Sequence, residues 1–166
     1  MIVIGILGDI GSGKTYISKL FNSPVFNADS EVNKIYKKNI NCFKKLKRKI
    51  PEHIKSYPIK KNELIKAVVS KQNNLKKITK IIHPIIRTNI KKFMMKNKNK
   101  KIVVLDIPLL LENKLNKKDY ILVFVDAKKK DIQKRLNKRQ NFNPNLHYKL
   151  RKIQLPLEIK KKNLIL

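Results

Sequence analysis

The chain opens on an unbroken apolar run, Ile2 to Leu7, rich in β-branched side chains. A strand buried on both faces of a parallel sheet reads this way, because neither face meets water. The loop Gly8 to Gly13 follows, and Ile17, Leu20 and Phe21 then recur at helical spacing over Lys14 to Phe21. Pro24 to Phe26 predicts a second short strand ending at Asn27-Ala28-Asp29, with Ser30 placed to cap a helix through about Lys38. From Asn39 to about Lys61 the period is lost. Pro51 and Pro58 break the text, and short helices with a loop are expected there. A long helical stretch starts near Asn62, with a break expected at Gln72-Asn73-Asn74. From Leu75 an apolar stripe runs through Ile78, Ile81, Ile82, Ile85, Ile86, Ile90 and Phe93, and Pro84 inside it predicts a kink or a new helix start.

After a polar turn at Asn97 to Lys101, Ile102 to Leu105 predicts another buried strand, closed by Asp106. Tyr120 to Val125 predicts a further one. Helices are expected over Asp131 to Lys138 and His147 to Lys162, separated by a polar break at Gln140 to Pro144 and interrupted at Pro156. Strands alternating with helices predict an α/β fold with helices on both faces of a parallel sheet. At 166 residues a single domain is expected.

Composition changes this picture little. Hydrophobic residues make up 42 % of the chain, enough for a core, and no run approaches the roughly 20 apolar residues of a membrane span. The opening run is short and lacks a basic leader, so a cytoplasmic protein is expected. A single cysteine, Cys42, excludes an internal disulfide framework and a cysteine-rich zinc site. Charge is more provocative: 41 Lys and Arg against 11 acids give a formal +30. Such an excess ordinarily raises nucleic acid or an anionic membrane as partner. Here it is mostly lysine, spread from Lys34 to Lys162 beside abundant Asn and Ile, three residue types with A/T-rich codons. Base-stacking aromatics are not interleaved with it. The expectation is therefore no specific nucleic acid, no membrane, and weak attraction to polyanions, nucleotides included. A monomer is expected.

Chemistry enters at Gly8-Asp9-Ile10-Gly11-Ser12-Gly13-Lys14-Thr15, a complete G-x-x-x-x-G-K-[ST] between a predicted strand and helix. Glycines let the backbone curl so that amides face phosphate oxygens, and the following helix adds its positive end. Lys14 is placed to reach the β- and γ-phosphates of ATP, and the Thr15 hydroxyl to join a magnesium shell. Asp29, at a strand end, could take a proton from an acceptor hydroxyl or help position magnesium; it could equally be a helix N-terminal acid. Asp106 could hold magnesium through water or act as a cap. Arg135 and Arg139, four apart on a predicted helix, could close over ATP or form a solvated basic face. His83 alone reads as structural, though Arg87 four residues on could join it in holding an anionic substrate.

Taken together these pieces resemble the dephospho-coenzyme A kinase family over Ile2 to about Lys160. The P-loop is joined by Asn27-Ala28-Asp29 for the family's Asp-Ala-Asp, by His83-Pro84 with Arg87, and by Pro108-Leu109-Leu110-Leu111-Glu112 for Pro-Leu-Leu-x-Glu. Gln133 to Arg139 approaches the Gln-x-x-Arg-x-x-x-Arg element, and Gln154-Leu155-Pro156-Leu157-Glu158 matches the closing motif. The resemblance implies a P-loop kinase-type three-layer fold: a core over residues 1–29, 102–138 and 148–166, a helical acceptor-binding region over about 30–101, and a lid over about 139–147. It implies ATP-dependent phosphorylation of the ribose 3′-hydroxyl of dephospho-CoA, with Mg2+, in the last step of coenzyme A synthesis. Asp29, Lys14 and Arg139 would be catalytic. Residues 8–15 with Arg135 and Arg139 would bind ATP, and Asp29, His83, Arg87, Pro108, Leu109 and Glu112 the acceptor. Three departures stand out. Asn27 replaces the first Asp, Tyr16 follows Thr15 where smaller residues are commoner, and a final strand is expected to be shortened or lost around 163–166. Two other readings stay open: another P-loop small-molecule or nucleoside monophosphate kinase, and a nucleotide-dependent nucleic-acid-binding protein.

Overall fold

The computed structural model describes residues 1–140, 142–162 and 164. Its strands are β1 (Ile2–Gly8), β2 (Val25–Asn27), β3 (Ile102–Asp106) and β4 (Ile121–Val125), all parallel in the order β2-β3-β1-β4. The apolar runs supply both faces by simple alternation. Val3, Leu7, Val103, Leu105 and Leu122 point into one core, whereas Ile4, Ile6 and Val104 point into the other. On the first face Gly5 leaves a slot: a Cβ there would lie 2.6 Å from Leu110 Cδ2 and 2.9 Å from Leu122 Cδ2. The missing side chain thus admits Leu110, which is fully buried. Register brings Asn27 level with Asp106, and Ile6 with Asp106 on the other side. The carboxyl ends of β1, β2 and β3 therefore share one rim, where open α/β sheets place their ligands.

Eight helices surround the sheet among the described residues: α1 (Lys14–Leu20), α2 (Ala28–Lys38), α3 (Ile40–Lys49), α4 (Lys61–Ser70), α5 (Gln72–Lys96), α6 (Lys129–Asn137), α7 (Pro144–Lys152) and α8 (Leu157–Lys162). α1 turns Lys14 and Ser18 inward, and Leu20, expected on its apolar face, is exposed. α2 is capped by Asn27, not Ser30: the Asn27 side chain accepts the Ser30 N–H at 2.8 Å. The segment from Asn39 holds a regular ten-residue helix, α3, capped by Asn39 through the Cys42 N–H. Only Cys42 and Leu46 of it are buried, a stripe too thin to stand out among lysines.

The break near Gln72 is narrower than the sequence suggests. α4 stops at Ser70, α5 starts at Gln72, and Lys71 alone is extended between them. Asn74, expected in the break, is buried inside α5 and donates to the Ala67 carbonyl at 2.9 Å, clamping the two helices. α5 runs 25 residues straight through Pro84. Burial of Ile78, Ile82, Ile86 and Ile90 along one face outweighs the hydrogen bond that proline forfeits. The long final helix is two helices, since Pro144 is the first residue of α7 and α8 begins after Pro156. The expected loss of a last strand concerns Asn163, Ile165 and Leu166, which lie outside the described residues, as does Asn141 in the expected lid.

Candidate active site

The loop between β1 and α1 is shaped by backbone conformations that side chains resist. Gly8 has φ +144°, and a Cβ there would meet the Val125 carbonyl at 2.6 Å. Gly13 caps α1 at φ +103°, in the left-handed region. Within this curl the Lys14 ammonium donates to the carbonyls of Asp9 at 2.6 Å and Gly8 at 3.2 Å. Burial lowers the Lys14 pKa, and Asp106, Asp9 and Asp29 oppose that shift. Asp9 also holds the loop, accepting the Ile10 N–H at 2.7 Å and facing Arg151 of α7 at 3.8 Å. Tyr16 is exposed, clear of the loop.

Thr15, Asp106 and Asn27 meet at the shared rim. The Thr15 hydroxyl and the Asn27 amide each donate to Asp106 Oδ2 at 2.6 Å, and Asp106 is buried. Asp106 is thus neither a cap nor a surface acid. Two hard oxygen ligands, hydroxyl and carboxylate, stand beside the phosphate loop, a donor set that suits Mg2+ completed by water and phosphate oxygens. Among the described residues no group of three or more His, Cys, Asp or Glu could form an all-protein metal cage. Asn27 serves two elements at once: its oxygen caps α2 while its nitrogen fixes Asp106. The readable signal was a polar residue closing each of two buried strands at the same level.

A cavity of about 350 Å³ opens beside this rim, and Asp29, His83, Arg87, Pro108, Leu109 and Arg139 all line it, with Ile10 of the loop. The asparagine cap of α2 places Asp29 at the rim; α5 carries His83 and Arg87 one turn apart. Asp29 reaches solvent through the cavity mouth. Protein on its remaining sides raises its pKa, as does the Asp106 charge, while Lys14 and Arg139 pull it down. His83 is lowered by burial and then by Arg87. Arg87 itself donates to the Asn113 carbonyl at 3.3 Å.

The two arginines expected on one helix face part company. Arg135 lies on α6 and donates to the Ser12 carbonyl at 2.8 Å, bracing the back of the loop. Arg139 lies past the end of α6 and lines the cavity with Asp29. Glu112 does not reach that cavity; it pairs with Lys160 at 2.8 Å and accepts the Leu155 N–H at 2.9 Å. It lines a neighbouring cavity instead. Sequence reading missed Lys160, whose side chain is 1 % exposed, because nothing marks one lysine among dozens as buried.

Known proteins match this chain over nearly its whole length. The dephospho-CoA kinase family model matches residues 2–164. A dephospho-CoA kinase of Wolbachia from Brugia malayi is 30 % identical over 96 % of this chain and 84 % of its own length. That of Bartonella henselae is 32 % identical over 86 % of this chain and 75 % of its own. A crystal structure from Thermus thermophilus superimposes with a TM-score of 0.75 at 27 % identity, covering 98 % of this chain and 85 % of that one. With a complete phosphate loop, an acid at the second strand end and a model spanning nearly all its length, the chain belongs to the dephospho-CoA kinase family.

Proposed function

We propose that this enzyme transfers the γ-phosphoryl group of ATP to the ribose 3′-hydroxyl of dephospho-CoA, giving coenzyme A and ADP. One observation carries the assignment of roles: the phosphate loop and the cavity lined by Asp29, His83, Arg87 and Arg139 meet at one rim. The γ-phosphoryl end of ATP, lying on residues 8–15, would face a hydroxyl held in the cavity. Asp29 orients that hydroxyl and accepts its proton as the new O–P bond forms and the bond to the β-phosphate oxygen breaks. Lys14 and Arg139 offset charge on the transferred group, and Arg135 acts on ATP through the loop carbonyls it braces. His83, Arg87, Pro108 and Leu109 hold the acceptor, and Glu112 secures the segment behind it.

Thr15, with Asp106 beside it, would hold Mg2+. When bound, the ion neutralises the phosphate oxygens and aligns them. Because phosphoryl transfer passes through a loose transition state, placement and electrostatics matter more here than base strength. Residues of about 30–101 form the acceptor-binding region and about 139–147 the lid of a single domain. No helix among the described residues is long and apolar enough to cross a membrane. A cytoplasmic monomer acting on small molecules, without a specific nucleic acid, is the reading adopted.

Magnesium-dependent ADP release tests it, measured with dephospho-CoA, AMP, CMP, RNA or no acceptor. Stimulation by dephospho-CoA alone is the expected result, lost in Lys14→Ala by about 10²–10³-fold in kcat. Stimulation by AMP or CMP would move the assignment to a nucleotide kinase, and by RNA to a nucleic-acid-dependent enzyme.

A further inference from the structure

A second cavity, of about 290 Å³, adjoins the one that holds Asp29. Leu75, Thr79, His83, Leu109, Asn113 and Ile153 line both, so the two are halves of one cleft sharing a wall. Their far sides differ in chemistry. Beyond the shared wall the second cavity adds Lys76 from α5 with Lys149 and Lys152 from α7. The carboxylate lining the second cavity, Glu112, is already engaged by the buried Lys160 at 2.8 Å, so it does not cancel those lysines. Lys149 uses two of its three donors on the Val68 and Val69 carbonyls, at 3.0 and 2.8 Å, which pins α7 to the end of α4. Lys152 lies over the Tyr148 ring at 4.5 Å, so the ring orients its ammonium, and no acceptor among the described residues takes its N–H donors.

The proposed acceptor is elongated: a nucleoside, then a diphosphate, then a long arm. Each cavity alone sits at or below the low end of the roughly 300–1,000 Å³ that ligand sites occupy. With the ribose hydroxyl fixed at Asp29, the chain of the acceptor must leave the first cavity, and the cavity that shares six of its lining residues is the basic one. We infer that the second cavity takes the diphosphate end of the acceptor, with Lys76 and Lys152 as its counter-charges and Lys149 as the residue that positions α7. This rests on the acceptor proposed above and adds to it where the anionic part lies. Diphosphate binding at Arg87, inside the first cavity, is the competing arrangement.

Steady-state kinetics of the full chain separate the two. In Lys76→Gln/Lys152→Gln, KM for dephospho-CoA is expected to rise about tenfold, as for the loss of charge-assisted hydrogen bonds. kcat should stay within about twofold and KM for ATP should not change. Both lysines are exposed, and thermal melts would show the fold intact. An unchanged KM for dephospho-CoA overturns the inference, more so if Arg87→Gln alone raises it. Equal rises for ATP and dephospho-CoA overturn it too, since they mark a general field and not a site. Failure of the wild-type chain to phosphorylate dephospho-CoA at all would instead remove the acceptor reading itself.

Discussion

Asp29, proposed above as the base, is one of two neighbouring acids, and its surroundings set the terms. Partial enclosure by protein raises its pKa first and the Asp106 charge adds to that, against Lys14 and Arg139. A base must be ionised to accept a proton, so kcat/KM should fall on acidification along a limb lying above the ordinary aspartate range. Asp29→Asn should remove that limb and lower kcat by about 10²-fold. The same shift has a stability sign. A pKa raised in the folded state means the native protein binds this proton more tightly than the unfolded chain does. That contribution is complete below the ordinary aspartate value of 3.8 and is lost as pH rises through the folded value. At pH 7 the ionised carboxylate is therefore a burden, and Asp29→Asn should melt slightly higher than wild type there. The difference should shrink toward pH 3. A variant less stable at pH 7 would mean that Asp29 makes attractive contacts outweighing its enclosure. Asn27 relieves the same crowding from the other side. A third carboxylate there would cap α2 as well as asparagine does, but would place like charge 2.6 Å from Asp106 in place of a donated hydrogen bond. Asn27→Asp should lower Tm at neutral pH, and added magnesium should recover part of the loss by neutralising the paired carboxylates.

Elements are joined here by a few polar ties that the apolar pattern cannot announce. The pattern itself located all four strands, because runs such as Ile2 to Leu7 and Ile102 to Leu105 are apolar on both faces and end at the rim in Gly8 and Asp106. The phosphate loop was legible for the same reason, being a fixed string between two such elements. α5 was harder, since propensity alone cannot tell that its isoleucine face binds firmly enough to carry Pro84. Least legible was the Glu112–Lys160 pair, which links the loop after β3 to α8 across 48 positions of sequence. Both partners are buried, at 9 % and 1 % side-chain exposure, and Glu112 also holds the Leu155 N–H next to cavity residues Ile153 and Gln154. Removing one partner strands the other charge, at about 3–5 kcal/mol. Lys160→Met should therefore lower Tm by roughly 10 °C. Glu112→Gln/Lys160→Met, which strands no charge, should recover much of the loss. A double variant as unstable as the single would place the energy in packing and not in charge.

At the scale of the whole molecule, 41 basic and 11 acidic residues make self-repulsion and attraction of anions general. Among the described residues most ion pairs are exposed, such as Lys34–Glu31 and Lys161–Asp126, and pairs of that kind add little. The surplus charge is left to repel itself, and its field extends about 30 Å at 0.01 M salt but only about 8 Å at 0.15 M. Two consequences then run in opposite directions. Screening weakens repulsion within the fold, so Tm should rise between about 10 and 150 mM NaCl. Screening also weakens attraction of the anionic substrates, so KM for ATP should rise over the same interval while kcat holds nearly constant, because the reacting groups at the rim sit closer than either screening length. A fold stabilised by its surface pairs would instead lose Tm with salt. If RNA at equal phosphate concentration merely mimics added salt, inhibiting without promoting ADP release, the positive surface acts as a field with no site for nucleic acid. Among the exposed lysines, those the cleft gathers, Lys76 and Lys152, would then be the ones that matter individually.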